Sequence, residues 1–211
     1  MDSQLQHAIP SLLEATLALE WANRWDWFFG INLGIFYDAK RRAVVPTGFL
    51  SVGVKRFSHE DLRSSYVLLA ENQAPHLVLE VVSKQNGTEY RRNRGMYAFM
   101  GVLYYVVYHP GSRRKSPLEV YRLVNDKYEY ALLSGNPIWL PEIGLGIGRD
   151  RGTYQGITRE WLYWYTEQGQ RLLTPEECIE QEQQRRLAAV KQVETLAKKL
   201  RSLGINPESI A

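Results

Sequence analysis

One acidic residue stands apart in the sequence. Glu80 interrupts the run Leu77-Val78-Leu79-Glu80-Val81-Val82-Ser83, which is otherwise apolar up to its final serine. A carboxylate taken out of water is costly unless it finds a cation, hydrogen-bond donors or solvent. Two explanations fit its position. It could pair with an arginine of the next segment or reach water at a strand end. It could instead hold a metal ion at the end of a central strand. Lys84 lies four residues on and could lean back if the strand continues. Asp38, at the polar turn Asp38-Ala39-Lys40-Arg41-Arg42, is a second carboxylate that a neighbouring strand could deliver. Glu14 and Glu20 are six residues apart, do not share one helical face well, and read as solvated positions.

Other chemistries have weaker support. Ser51 and Ser83 lack a nearby histidine and acid, so an acyl-transfer triad is not expected. Gly144, Gly146 and Gly148 alternate with apolar residues but lack the Lys-Ser/Thr ending of a phosphate loop. The single cysteine, Cys178, excludes a disulfide framework, and four scattered histidines exclude ordinary zinc spacing. Trp25 and Trp27 could stack on bases, although core packing is the default reading. Basic residues cluster at Lys40-Arg41-Arg42, at Arg91-Arg92 with Arg94, and at Arg113-Arg114-Lys115. Such clusters can follow a phosphate backbone if one face gathers them.

The elements that must position these residues follow from periodicity. Apolar residues from Pro10 to Trp25 recur at steps of three and four, which predicts a helix opened by Pro10. Trp27 to Tyr37 is aromatic and β-branched, and a hairpin to Ala43-Val44-Val45 is expected. Residues 46–54 read as extended or loop, and 55–74 as a polar loop with a turn of helix. The run around Glu80 reads as a strand buried on both faces. A helix is expected from about Glu89 to Met100, stopped by Gly101. Val102 to Tyr108 is then a parallel partner strand, reached by a right-handed crossover. Asn125-Asp126 marks a hairpin between Leu118–Leu123 and Tyr128–Leu132. Ile138–Leu140 and Gly144–Gly148 read as short strands, and Thr158–Gln168 as a short helix. A second region, 174–211, opens with the capping-box pattern Thr174-Pro175-Glu176-Glu177. Leu187, Val190, Val193, Leu196, Leu200 and Leu203 then recur along it. Two readings stand side by side: a helix lying on its own domain, or a coiled-coil arm joining two chains.

At 211 residues, 45% hydrophobic and 23% charged, the chain has the make-up of an ordered globular protein. Its apolar runs fall short of a membrane span, and its start lacks a secretory pattern, so a cytoplasmic location is expected. The net charge of +3 does not by itself announce a nucleic-acid binder.

Taken together, Pro46-x-Gly48-Phe49-Leu50-Ser51-x-Gly53-Val54, the strand around Glu80, Tyr97-x-x-x-Gly101-Val102 and Tyr104-Tyr105-Val106-Val107-Tyr108-x-Pro110 resemble the Uma2 family. That family, formerly a domain of unknown function abundant in cyanobacteria, falls in the PD-(D/E)XK, or restriction-endonuclease-like, superfamily. The resemblance covers nearly the whole chain. It implies an α/β protein: a restriction-endonuclease-like α/β/α core with a mixed central sheet over 1–173, plus the C-terminal helix of 174–211. It also implies a Mg²⁺-dependent DNA endonuclease, in which acidic groups hold Mg²⁺ and a lysine steadies charge on the phosphate. Glu80 matches the motif glutamate. The aspartate expected directly after Pro46 is Thr47. The lysine expected two residues after Glu80 is Val82. In Uma2-like chains this lysine shifts to four residues before the tyrosine matching Tyr97, which here is Asn93. The implied metal set is therefore Glu80 and Thr47, with Asp38 as a substitute carboxylate. The implied catalytic set is Glu80, Asn93, Lys84 and Arg94, where Arg94 or its neighbours Arg91 and Arg92 stand in for the lysine. Thr47 and Asn93 also motivate the alternative: an inactive member that serves binding, or assembly as a homodimer.

Overall fold

The computed structural model describes residues 4–56, 62–82, 89–111, 116–130, 135–204 and 206, with backbone only for 89–92. Two compact units result, residues 1–172 and 173–211.

The first unit opens with helix α1 (Gln4–Glu20). It starts six residues before Pro10, so the proline sits inside the helix and not in its first turn. Strand β1 (Trp27–Ile31) is followed by β2 (Ile35–Phe36), β3 (Gly48–Val52), β4 (Tyr66–Val67) and the short helix α2 (Leu68–Glu71). The expected hairpin between 27–37 and 43–45 does not form. β1 pairs antiparallel with β3, the segment read as extended or loop, and only an Ile35–Val44 bridge remains of the hairpin. Burial explains the choice. Phe49 and Leu50 are fully buried, on opposite sides of the sheet, whereas Val45 is exposed.

Strand β5 (Leu77–Val81), helix α3 (Glu89–Phe99) and strand β6 (Tyr104–Tyr108) form the expected crossover, with β5 and β6 parallel. Gly101 closes α3 at φ +78°, where Val102 N–H reaches back to Tyr97 O. Strands β7 (Leu118–Val124) and β8 (Lys127–Tyr130) make the expected hairpin, with Asn125 and Asp126 both at positive φ. The central sheet is mixed, in the order β1-β3-β5-β6-β7-β8.

A second sheet joins β9 (Ile138–Leu140), β10 (Leu145–Tyr154) and β11 (Ile157–Tyr165). The helix expected over Thr158–Gln168 is thus strand β11. Trp161, Leu162 and Tyr165 mimic helical spacing, but the five residues 161–165 are all buried, so both faces of the segment are covered. Gln155 and Gly156, at positive φ, make the tight turn that commits β10 and β11 to each other.

Alternation along β5 and β6 sorts their side chains between two cores. Leu77, Leu79, Val81, Tyr104, Val106 and Tyr108 pack in the core shared with α1, β10 and β11. Val78, Tyr105 and Val107 pack in the core that holds Tyr97 of α3. The unit is thus a mixed α/β structure with a central sheet covered on both faces.

The second unit carries α4 (Pro175–Ser202), with the expected capping box: Thr174 Oγ1 accepts from Glu177 N–H, and Glu177 accepts from Thr174 N–H. Among the described residues, no helix is long and apolar enough to cross a membrane.

Candidate functional site

Glu80 stands one residue before the end of β5 and alternates to the same face as Val78, toward α3. The β3–β5 register pairs Gly48 with Leu79 and, carried one step further, sets Thr47 opposite Glu80. Thr47 Oγ1 donates to Glu80 Oε2 at 3.2 Å and accepts Val81 N–H at 3.2 Å. Tyr97 donates its phenol to Glu80 Oε1 at 2.7 Å. Asn93, one helical turn before Tyr97, adds a side-chain hydrogen bond to the same carboxyl. A spacing of four residues puts Asn93 and Tyr97 on one face of α3. The fold therefore brings Thr47, Glu80 and Asn93 together, and adds Tyr97.

The electrostatics follow from those partners. Burial pushes the Glu80 carboxyl above its ordinary range, and the hydrogen bonds from Tyr97, Thr47 and Asn93 pull against that without cancelling it. Burial also pushes the Tyr97 phenol up, and the charge of Glu80 adds to it. Tyr97 is therefore a proton donor in this contact at neutral pH.

The remaining expected residues lie elsewhere. Asp38 accepts Lys40 N–H at 2.8 Å and pairs with Arg41 at 3.6 Å, so its carboxylate closes its own turn. Arg94 donates to Tyr128 O and lies 4.3 Å over the Tyr121 ring, a tie to the β7–β8 hairpin. Glu14 is raised by burial, with Arg56 opposing, and Glu20 is exposed. Trp27 is buried against Trp21 and capped by Arg56 at 4.1 Å, which leaves its ring to the core. Lys84, the side chains of Arg91 and Arg92, and Arg113 to Lys115 lie outside the described residues.

The donor set can be tested against Mg²⁺, which takes oxygen lone pairs, usually from one or two carboxylates with water and phosphate. Both oxygens of Glu80 already accept O–H donors, and the groups around it supply protons to it. Thr47 commits its only proton to Glu80 and a lone pair to Val81 N–H. Among the described residues, no three His, Cys, Asp or Glu side chains gather at one point. The described residues around Glu80 do not by themselves fit a divalent-metal centre.

Tyr97 is the member of the cluster to which sequence reasoning gave no role at the site. The signal was available: a buried carboxyl needs donors, and a tyrosine four residues after Asn93 shares its helical face.

Three solved chains match the structure. One is described as a "putative nuclease belonging to DUF820" from Anabaena variabilis ATCC 29413; it is 16% identical, and the match covers 67% of this chain and 75% of that one at a TM-score of 0.48. Among curated proteins there is no match. A family model described as "Uma2: Putative restriction endonuclease" matches residues 3–150. With most of its first unit inside that match, the chain belongs to the Uma2 family.

Proposed function

We propose that this chain is a restriction-endonuclease-type protein that keeps the fold for contact with DNA and for assembly, and has given up Mg²⁺-dependent cleavage. One observation carries this reading. The Glu80 carboxyl is capped by neutral donors, Tyr97, Thr47 and Asn93, of which Thr47 and Asn93 replace the acid and the lysine that the resemblance expects. With no second carboxylate beside Glu80 among the described residues, the site lacks the charge to draw Mg²⁺ from water. With Asn93 in the lysine's place, no cation among the described partners of Glu80 would steady a pentavalent phosphate.

Cleavage of plasmid and oligonucleotide DNA in Mg²⁺ or Mn²⁺ tests it. Wild type and Glu80→Gln leave the substrate equally intact, and the double change Thr47→Asp with Asn93→Lys gains cleavage. Cleavage by wild type that Glu80→Gln abolishes overturns the reading. That outcome would support the competing one, a working endonuclease, which the retention of Glu80 in a family of nuclease description favours.

The assembly part rests on α4. Val193 and Leu196 are exposed along it and Leu203 at its C-cap, with Leu200 between them at coiled-coil spacing. A second copy of α4 would cover this stripe. Light scattering is expected to give a dimer mass for wild type and a monomer mass for Val193→Glu with Leu196→Glu. A monomer in both at high concentration contradicts pairing.

A further inference from the structure

The far end of α3 carries side chains that the Glu80 cluster does not use. Phe99, the last residue of the helix, is 74% exposed. Scattered exposed rings need no explanation, but this one has company. The Tyr37 ring stands edge-on to it, with centroids 6.3 Å apart, and the Arg41 guanidinium lies 6.0 Å from the Phe99 centroid. Lys40 and Arg42, the chain neighbours of Arg41, are exposed as Arg41 is. Their turn is held by Asp38, whose carboxylate accepts Lys40 N–H and pairs with Arg41. Tyr37 is anchored in turn by its phenol, which donates to Met96 Sδ of α3 at 3.8 Å. The patch is thus an exposed Phe99 ring set against Tyr37, with Arg41 over one side, on a turn that carries two further exposed cations.

Each half of this surface alone would fit many partners. Together they fit a chain that repeats a flat π system and a phosphate. Bases stack on exposed aromatic rings while Lys and Arg follow the backbone, and this mode is available to an unpaired strand, not to bases locked inside a duplex. We propose that Phe99 and Tyr37, with Lys40, Arg41 and Arg42, form a stacking platform for an unpaired nucleotide of a DNA strand. The proposal deepens the DNA-contact reading above and rests on it. The platform also lies near the Glu80 cluster in chain terms. Phe99 follows Asn93 by six residues, which is about 9 Å of helical rise.

Fluorescence anisotropy of the full chain with labelled oligothymidine, and with a duplex of equal length, tests the platform. Wild type is expected to bind the single strand. Phe99→Ala weakens that binding about ten-fold, the loss expected for one stacked base. Phe99→Trp preserves it. Lys40→Ala with Arg41→Ala and Arg42→Ala weakens it and flattens its salt dependence. Phe99 and the three cations are exposed, so these variants keep the fold, which circular dichroism checks. Single-strand binding that ignores both sets of changes overturns the platform and leaves the DNA-contact reading standing. Binding of duplex alone does the same. Binding of neither oligonucleotide overturns both.

Discussion

The same chemical pair, a tyrosine hydroxyl on a glutamate, occurs at opposite ends of β5 and β6, and its two environments differ. At the β5 end, Tyr97 donates to Glu80 among Thr47, Asn93 and core residues. At the other end, Tyr104, first in β6, donates to Glu142, which also pairs with Arg122. Glu142 is largely in contact with water. Its limited burial pushes the carboxyl up, but the Tyr104 hydrogen bond, a backbone hydrogen bond and the Arg122 charge outweigh this, and it sits below the usual range. Glu80 has more burial and no cation among its described partners, and it sits above. Several good hydrogen bonds from neutral donors do not replace a positive charge or water.

Removing each phenol gives the largest contrast. Tyr97→Phe leaves a buried carboxyl one donor short and is expected to cost about 2 kcal/mol in urea unfolding. Tyr104→Phe leaves Glu142 with Arg122 and water and is expected to cost under about 1 kcal/mol. Equal costs would break the comparison.

A smaller effect distinguishes the pairs by sign. The folded pKa of Glu80 is raised, so its contribution to stability is complete below the ordinary value of 4.5 and is lost as pH rises through the folded pKa. The folded pKa of Glu142 is lowered, so its contribution is present above 4.5 and is lost as pH falls through the folded pKa. Gln stands in for the protonated acid, so wild type should lose melting temperature relative to Glu80→Gln as pH rises above 4.5, and should lose its advantage over Glu142→Gln as pH falls below 4.5. A Glu80→Gln variant that melts below wild type at neutral pH, as Glu142→Gln is expected to, would contradict the assignment of burial as the dominant influence on Glu80.

Salt gives the smallest effect. Arg122→Ala is expected to cost about 0.5 kcal/mol at low salt and less at high salt, since the pair is open to screening. The cost of Tyr97→Phe should not depend on salt. A salt-dependent cost there would mean that a charge outside the described residues reaches Glu80.

Much of the scaffold of the site was legible in the sequence. The apolar run around Glu80, the Gly101 stop and the Asn125-Asp126 turn are local signals, and each produced the expected element. The partner of β1 was not legible, because Ala43–Val45 and Gly48–Val52 both read as extended and only tertiary burial chooses between them. β11 was misread because a short aromatic run carries no decisive period when both of its faces are covered. Within the site, the resemblance led to Thr47 and Asn93, and the structure places both against Glu80. Tyr97 was overlooked as a partner because the reading sought lone pairs for a metal and the fold supplied a proton. Asp38 looked available because a carboxylate at a strand end resembles a ligand, yet its turn uses it first.

Calorimetric titration of Mn²⁺ into the full chain, beside the same titration of Glu80→Gln, puts the question most directly. If Glu80 is closed off by Tyr97, Thr47 and Asn93, the two heat curves superimpose, with no site that depends on the carboxylate. One equivalent of Mn²⁺ bound by wild type and lost in Glu80→Gln would contradict that, and would return Glu80 to the role of a metal ligand.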